Sequence, residues 1–496
     1  CSKLSRRTKT TRKNNSMAKK QKQINNIKWK QIVFYYVVAF ILFSAFAIGT
    51  NWQLAKTDSG AKIAVQLIAT ALLLVSLALY CYFADRKTME ARRNTVAMFS
   101  TMVINYIAIQ LLSMWDTYGI YLAPFALSSL ILSLIVSGKS GFFANFVLVM
   151  LYFMQGVNWQ TNATVSTESY FYLLFGGVVQ MVFASYILGK DYRRLRYISV
   201  GIFLGLIAAL CTAISCIMFD DNWSWANLGI KAALAFASGI IGVMLMFMLV
   251  PVFEKLFKVS SVFRFSEIAS SDNELMQKLF EKAPGTYNHS LTVATYVEAC
   301  AMAIGQSAVM ARAAAYYHDI GKMRNPSYFS ENQLGGINPH DAMTPEASVN
   351  MIKLHTVNGL AIAKEYDLPK EVQAAIMEHH GTMPLKFFYY KAKKYTDGDL
   401  PYDGYCYDGP KPTSKISAIL MICDASEAAL RASGDKSKAE KIVDDIVNER
   451  LTFEQFSNCD ITMKEIDIIK STIITTFLGI RHKRIKYPEI KMEGDK

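Results

Sequence analysis

Eight apolar stretches crowd the first half of this chain, at 32–50, 63–83, 95–115, 120–137, 141–157, 169–189, 198–218 and 228–252. Each is close to the roughly 20 residues with which a helix crosses a bilayer. Backbone within hydrocarbon must satisfy its own hydrogen bonds, and at this segment length helices do so. The first half is therefore read as a polytopic helical membrane domain of about eight spans. The fourth and fifth stretches are short and separated only by Gly138-Lys139-Ser140. A re-entrant hairpin fits them as well as two spans do.

Loop charges test that count. With the N-terminus inside, the inner loops 84–94, 138–140 and 190–197 carry Arg86, Lys87, Arg92, Arg93, Lys139, Lys190, Arg193, Arg194 and Arg196. The outer loops 51–62, 116–119, 158–168 and 219–227 carry Lys56 and Lys62, against Asp116, Glu168, Asp220 and Asp221. Cations follow the inner side at every loop, as membrane topology favours. Eight spans return the C-terminus to the cytoplasm, whereas seven or nine reverse the charge pattern. Asn162-Ala-Thr164 matches a glycosylation acceptor, a pattern short enough to arise by chance. No span shows a buried charge pair or paired Gly/Pro breaks, which argues for an anchor or sensor over a transporter.

The pI of about 9.1 does not signal a nucleic-acid partner. Residues 1–30 hold eleven Lys/Arg and no acidic residue; removing those eleven from the formal +13 leaves +2 for the rest. The segment 1–31 reads as a basic cytoplasmic tail near anionic lipid. Met17, in Met-Ala-Lys-Lys, is the expected start in place of Cys1. The eight cysteines form no CxxC pair, and no disulfide is expected.

Beyond Pro251 the composition turns amphipathic. Runs 291–304, 308–317, 345–366, 369–379 and 414–432 space apolar residues three and four apart, the period of a helix packed on one side. Segment 383–413 looks irregular and is read as a surface loop. All seven histidines lie at or after position 289. His289, His318, His355, His379 and His380, with Asp319 and Asp424, form an ordered string on helical segments. Asp424 sits in an apolar helix, where an unpartnered charge is costly. Imidazole with carboxylate suits Mn, Fe, Zn or Co better than Mg or Ca. Neighbours such as His318 and Asp319, or His379 and His380, cannot point one way from a regular helix, but can serve adjacent ions. A carboxylate bridges two metals, so Asp319 is the natural bridge. Lys322, one turn on, is a candidate phosphate contact with a catalytic role, and His340 a candidate substrate contact. His482, amid cations, reads as a solvated group.

The string resembles the HD superfamily of metal-dependent phosphohydrolases, and within it the seven-transmembrane HD family of bacterial cyclic di-AMP phosphodiesterases. The likeness rests on Ala283-Pro-Gly-Thr-Tyr-Asn-His-Ser-Leu291, Tyr316-Tyr-His-Asp-Ile-Gly-Lys322, Asn338-Pro-His-Asp341, Glu378-His-His-Gly-Thr382 and Gly409-Pro-Lys-Pro412. The resemblance implies metal ligands at His289, His318, Asp319, His355, His379, His380 and Asp424, two divalent ions (Mn or Fe), and hydrolysis of cyclic di-AMP to linear pApA. It further implies a multi-pass protein of the bacterial inner membrane with a cytoplasmic HD domain.

The expected organisation is all-α. A transmembrane domain at 32–252 leads through a helical linker at 253–284 to an HD domain at 285–433 and a C-terminal helical extension at 434–496. The expected partners are a cyclic dinucleotide, the lipid bilayer and, through the extension, a homodimer; no nucleic-acid polymer is expected. Family members carry a sizeable extracellular domain after the first span, where this chain has only 51–62. The rivals are a cyclic di-GMP phosphodiesterase, disfavoured because no Gly-Tyr-Pro occurs, and a silent receptor that binds a cyclic dinucleotide without cleaving it.

Overall fold

The computed structural model describes residues 30–46, 48–49, 60–113, 118–156, 166–187, 194–333, 335, 338–395 and 399–480. Met17, nearly all of the basic tail, Asn162, His482 and large parts of the loops 51–62, 158–168 and 190–197 lie outside the described residues. The described chain is all-helical, and no strand forms within it. It divides into two compact units, 1–261 and 262–496.

In the first unit the apolar stretches are helical. They form α1 (Lys30–Phe46), α2 (Gly60–Ala84), α3 (Arg92–Ser113), α4 (Leu127–Ile135), α5 (Gly138–Gly156), α6 (Gly177–Ile187), α7 (Arg194–Phe219) and α8 (Trp225–Phe257). Four of them, α2, α3, α7 and α8, are long and apolar enough to cross a membrane by length and composition. On α2, Val65, Ile68, Leu72, Val75 and Leu79 face outward, an apolar stripe suited to lipid rather than water. The α7 and α8 backbones cross closely, because a Cβ on Gly239 would lie 2.3 Å from the Gly205 nitrogen. Small residues permit such contact where no hydrophobic effect drives association.

Three readings are corrected here. Stretch 120–137 is not one continuous helix: a 3-10 turn, Gly119–Leu122, precedes α4, with Pro124 between. Proline forces the residue before it out of helical conformation, and Ala123 is extended at φ −66°, ψ 127°. Stretch 228–252 runs on past Pro251 to Phe257. The membrane half also holds a buried charge pair after all. Lys231 Nζ lies 3.2 Å from Glu168 Oε1 and 3.3 Å from Asp220 Oδ2, above the Tyr121 ring. Glu168 belongs not to an open loop but to the helical turn Thr167–Phe171, which leads through the π-turn Tyr172–Gly176 into α6.

The second unit comprises α9 (Val262–Ile268), α10 (Glu274–Lys282), α11 (Pro284–Ala303), α12 (Ala308–Tyr317), α13 (Pro345–Glu365), α14 (Lys370–Glu378), α15 (Lys386–Lys393), α16 (Lys415–Ser433), α17 (Ala439–Thr452) and α18 (Met463–Ile480). Local chemistry sets their ends. Side chains of Asn273, Ser307, Thr344 and Ser414 cap the first turns of α10, α12, α13 and α16. Proline opens α11 and α13, where its missing N–H costs nothing. Helix α16 stops at Gly434 in the left-handed region, φ 63°.

One core joins α11, α12, α16, α17 and α18 through Val297, Cys300, Ile419, Ile422, Val443 and Ile473. A second packs α9 and α10 against α12 and α14 through Phe265, Leu279, Tyr317 and Ile376. The stretch read as a surface loop, 383–413, contains α15, whose Phe388 and Ala392 are buried with Val349 and Tyr405.

Candidate metal centre

Three helices and two helix ends deliver the predicted ligands to one place. His289 comes from α11, His355 from α13 and Asp424 from α16, all within the helices. The two adjacent pairs sit where helices end. His318 keeps helical angles after α12, while Asp319 leaves them at φ −109°, ψ 11°. His379 closes α14, and the chain turns at Gly381 directly after His380. A helix that stops between two neighbours lets their side chains diverge, so each pair reaches two neighbouring positions.

The structure brings all seven together in two adjoining groups: Asp319, His355, His379 and His380, and then His289, His318 and Asp424. Within each, one donor atom per residue lies within 4.8 Å of the others. Asp319 stands between them. Its Oδ1 is 3.4 Å from His355 Nε2 and 3.7 Å from His379 Nε2, while Oδ2 is 3.3 Å from His318 Nε2 and 3.8 Å from His289 Nε2.

Backbone carbonyls set the tautomers. His318, His355 and His379 each donate Nδ1–H to the carbonyl three residues earlier, at Ala315, Ile352 and Ile376, over 2.7, 2.6 and 2.8 Å. A carbonyl only accepts, so in the neutral ring the proton sits on Nδ1 and Nε2 presents a lone pair. The Nε2 atoms of His355 and His379 then face each other at 3.3 Å, and two lone pairs so placed repel unless a cation lies against both. His318 Nε2 and Asp319 Oδ1 are buried without a hydrogen bond among the described residues. Such orphaned acceptors are costly in an interior and fit a pair of divalent ions.

Electrostatics agree. Burial works against the charge of Asp319, yet Lys322 and His318 outweigh it and hold the carboxyl well below its usual range. Asp424 is lowered likewise by His289 and His318. Burial presses His355 down to about 3, leaving a neutral imidazole. His289 and His318 move the other way, to about 9 and about 10, because carboxylate contacts overcome burial. A bound cation competes with those protons for the same lone pairs.

Lys322 lies 2.7 Å from Asp319 Oδ2 and 2.8 Å from Glu331 Oε1, above the Phe329 ring. His340 joins neither group. It is buried between Tyr328 and Phe388, and its Nε2 donates to the Tyr328 carbonyl over 2.9 Å.

One participant escaped the sequence reading. His289 Nδ1 lies 2.7 Å from Glu427 Oε2, a buried carboxylate one turn after Asp424 on the same face of α16. That three-residue spacing was the available signal. Carboxylates behind ligating histidines fix ring orientation and raise basicity. Glu427→Gln is expected to weaken manganese binding at the His289 group about 10- to 100-fold, read by calorimetric titration of metal-stripped protein. An unchanged affinity refutes the pairing.

Comparison with known proteins places these features in context. A family described as a 7TM receptor with intracellular HD hydrolase matches residues 61–261. The HD domain family matches 286–429. Seven of the described apolar helical segments, from α2 to α8, fall within the first match. The cyclic-di-AMP phosphodiesterase PgpH of Bacillus subtilis (strain 168) is 32% identical over 450 residues, covering 88% of this chain and 61% of that protein. PgpH of Listeria monocytogenes is 34% identical over 437 residues, covering 86% and 59%. A crystal structure of the L. monocytogenes PgpH HD domain in complex with cyclic-di-AMP is 46% identical; it covers 43% of this chain and 100% of that one, with a TM-score of 0.42. The chain spans about three fifths of the length of these curated relatives.

Proposed function

This chain belongs to the family of seven-transmembrane receptors with an intracellular HD hydrolase, and from that premise we propose that it is a membrane phosphodiesterase that opens cyclic di-AMP to linear pApA. The observation that carries the reading is the convergence of five histidines and two aspartates on adjoining groups that share Asp319. The choice of cyclic di-AMP over cyclic di-GMP is supported by the names of the curated relatives.

In this reading His289, His318 and Asp424 would hold one divalent ion and His355, His379 and His380 the other, with Asp319 within reach of both groups. The ions are Mn or Fe, within the group that imidazole with carboxylate suits. When bound, such a pair supplies an activated water and neutralises phosphate charge. The chain's own residues do the rest. The carbonyl bonds at Ala315, Ile352 and Ile376 keep three rings aimed before substrate arrives. Lys322, fixed by Asp319 and Glu331, keeps a cation beside the bridging carboxylate and contacts the phosphate. His340 supports the substrate side by fixing the 338–341 turn, accepting Lys391 at its carbonyl. The cation-rich inner loops support a cytoplasmic HD domain on the inner membrane of a bacterium.

The test is incubation of the chain in lipid nanodiscs with Mn²⁺ and cyclic di-AMP, and separately cyclic di-GMP. Linear pApA from the first is expected. Failure to cleave either one with both metals loaded sinks the enzyme reading, and preference for cyclic di-GMP sinks the substrate.

A further inference from the structure

Beside the metal centre lies a cleft of about 300 Å³ whose polar lining, His380 apart, the chemistry above leaves unused. One wall is a single face of α13, with Asn350, Lys353, Leu354 and Val357 at helical spacing. The facing wall holds His380 and Tyr407, whose rings stack at 4.3 Å and 24°. His380 is the most open of the seven ligand side chains, 25% exposed where Asp424 is 12% and the other five are 6% or less. Substrate therefore reaches the centre past His380, from the cleft's side.

A cyclic dinucleotide carries two phosphodiesters, each with one negative charge. The metal centre takes only the one being cut. The other enters the protein too, and an anion brought to a covered site without a counter-charge is penalised. Within the cleft wall, Lys353 offers that counter-charge. Its side chain is 14% exposed, and its Nζ meets Asp408 Oδ1 at 3.2 Å, while Asp408 itself is 84% exposed. An ion pair with so solvated a partner is weak, so an arriving phosphate displaces Asp408 readily. Leu354 and Val357, 44% and 55% exposed beside it, give a purine an apolar wall.

We propose that Lys353 binds the second, uncut phosphate of the cyclic dinucleotide, in a cleft where Asp408 holds the lysine until substrate arrives. This inference rests on the phosphodiesterase reading. It assigns Lys353 to binding rather than chemistry.

Three preparations in nanodiscs with Mn²⁺ test it: wild type, Lys353→Gln and Asp408→Asn. The substrates are cyclic di-AMP and bis(p-nitrophenyl) phosphate, a diester with a single phosphate. Lys353→Gln is expected to raise KM for cyclic di-AMP about tenfold or more with little change in kcat, as loss of a charge-assisted hydrogen bond implies. Its effect on the single-phosphate ester is expected to be several-fold smaller. Asp408→Asn, at an exposed position that folding tolerates, is expected to lower KM for cyclic di-AMP by removing the competing carboxylate. As a readout apart from turnover, cyclic di-AMP is expected to slow acetylation of Lys353 by acetic anhydride, measured by mass spectrometry, and adenosine is not. Equal losses on both esters, an unchanged KM in Lys353→Gln, a raised KM in Asp408→Asn, or unprotected Lys353 overturns the proposal. A wild type that cleaves the simple ester but not cyclic di-AMP overturns the substrate reading instead.

Discussion

Asp319→Asn is expected to lower phosphodiesterase turnover by about a thousandfold or more, because two-metal stabilisation is worth several kcal/mol and each 1.4 kcal/mol is tenfold. Asparagine keeps the shape of the side chain and one acceptor oxygen, so the loss reads charge and bridging rather than a cavity. The carboxylate faces four imidazoles and one ammonium at 3.8 Å or less, and its removal leaves the Lys322 ammonium and those rings without the one anion they share. Metal content, measured by plasma mass spectrometry, is expected to fall below two ions per chain. Insertion into membranes is expected to match wild type, since the substitution lies outside the apolar unit. A variant that retains both ions and normal turnover removes Asp319 from the bridging position.

The second large effect is expected from a residue with no side chain. Gly321 sits where the turn after Asp319 meets α13, and a Cβ there would lie 1.8 Å from the His355 carbonyl oxygen and 2.4 Å from the Gly359 nitrogen. Both are backbone atoms, so no side chain can swing away to make room. Gly321→Ala must push the His318-Asp319 turn away from the helix that carries His355. Overpacking of this kind costs about 3 kcal/mol, which corresponds to a drop of roughly 6–12 °C in the melting of a unit this size. The same displacement separates Asp319 from His355, so metal stoichiometry is expected to fall with stability. A melting midpoint within about 2 °C of wild type refutes the close approach.

The seven converging residues were legible because their types are scarce and chemically distinct. Histidine is absent from the first 288 residues, and the Asp424 carboxylate, set in an apolar run, demanded a partner. Helix positions in the second unit followed from three-and-four spacing. What escaped shares a cause: it depends on which side of a group faces which neighbour. Glu427 matters only because His289 turns Nδ1 toward it. Lys231 and Glu168 are 63 positions apart, and Glu168 resembled an outer-loop acid until a helical turn carried it inward. The helix α15 was hidden because Gly/Asp/Pro punctuation around it outweighed its short amphipathic pattern. The break at Pro124 was visible as a proline, but composition does not distinguish a kink from a stop.

The sources of the Nδ1 contacts divide the two halves of the centre in a way that bears on its descent. His355 and His379 lean on carbonyls of their own helices, which substitution elsewhere does not replace. Their donor strength is fixed as long as the helices exist. His289 leans on a side chain, Glu427, which a single substitution removes. The half-site of His289, His318 and Asp424 is thus the one that natural variation can retune for a different metal or a different redox state, one codon at a time, while its neighbour stays constant.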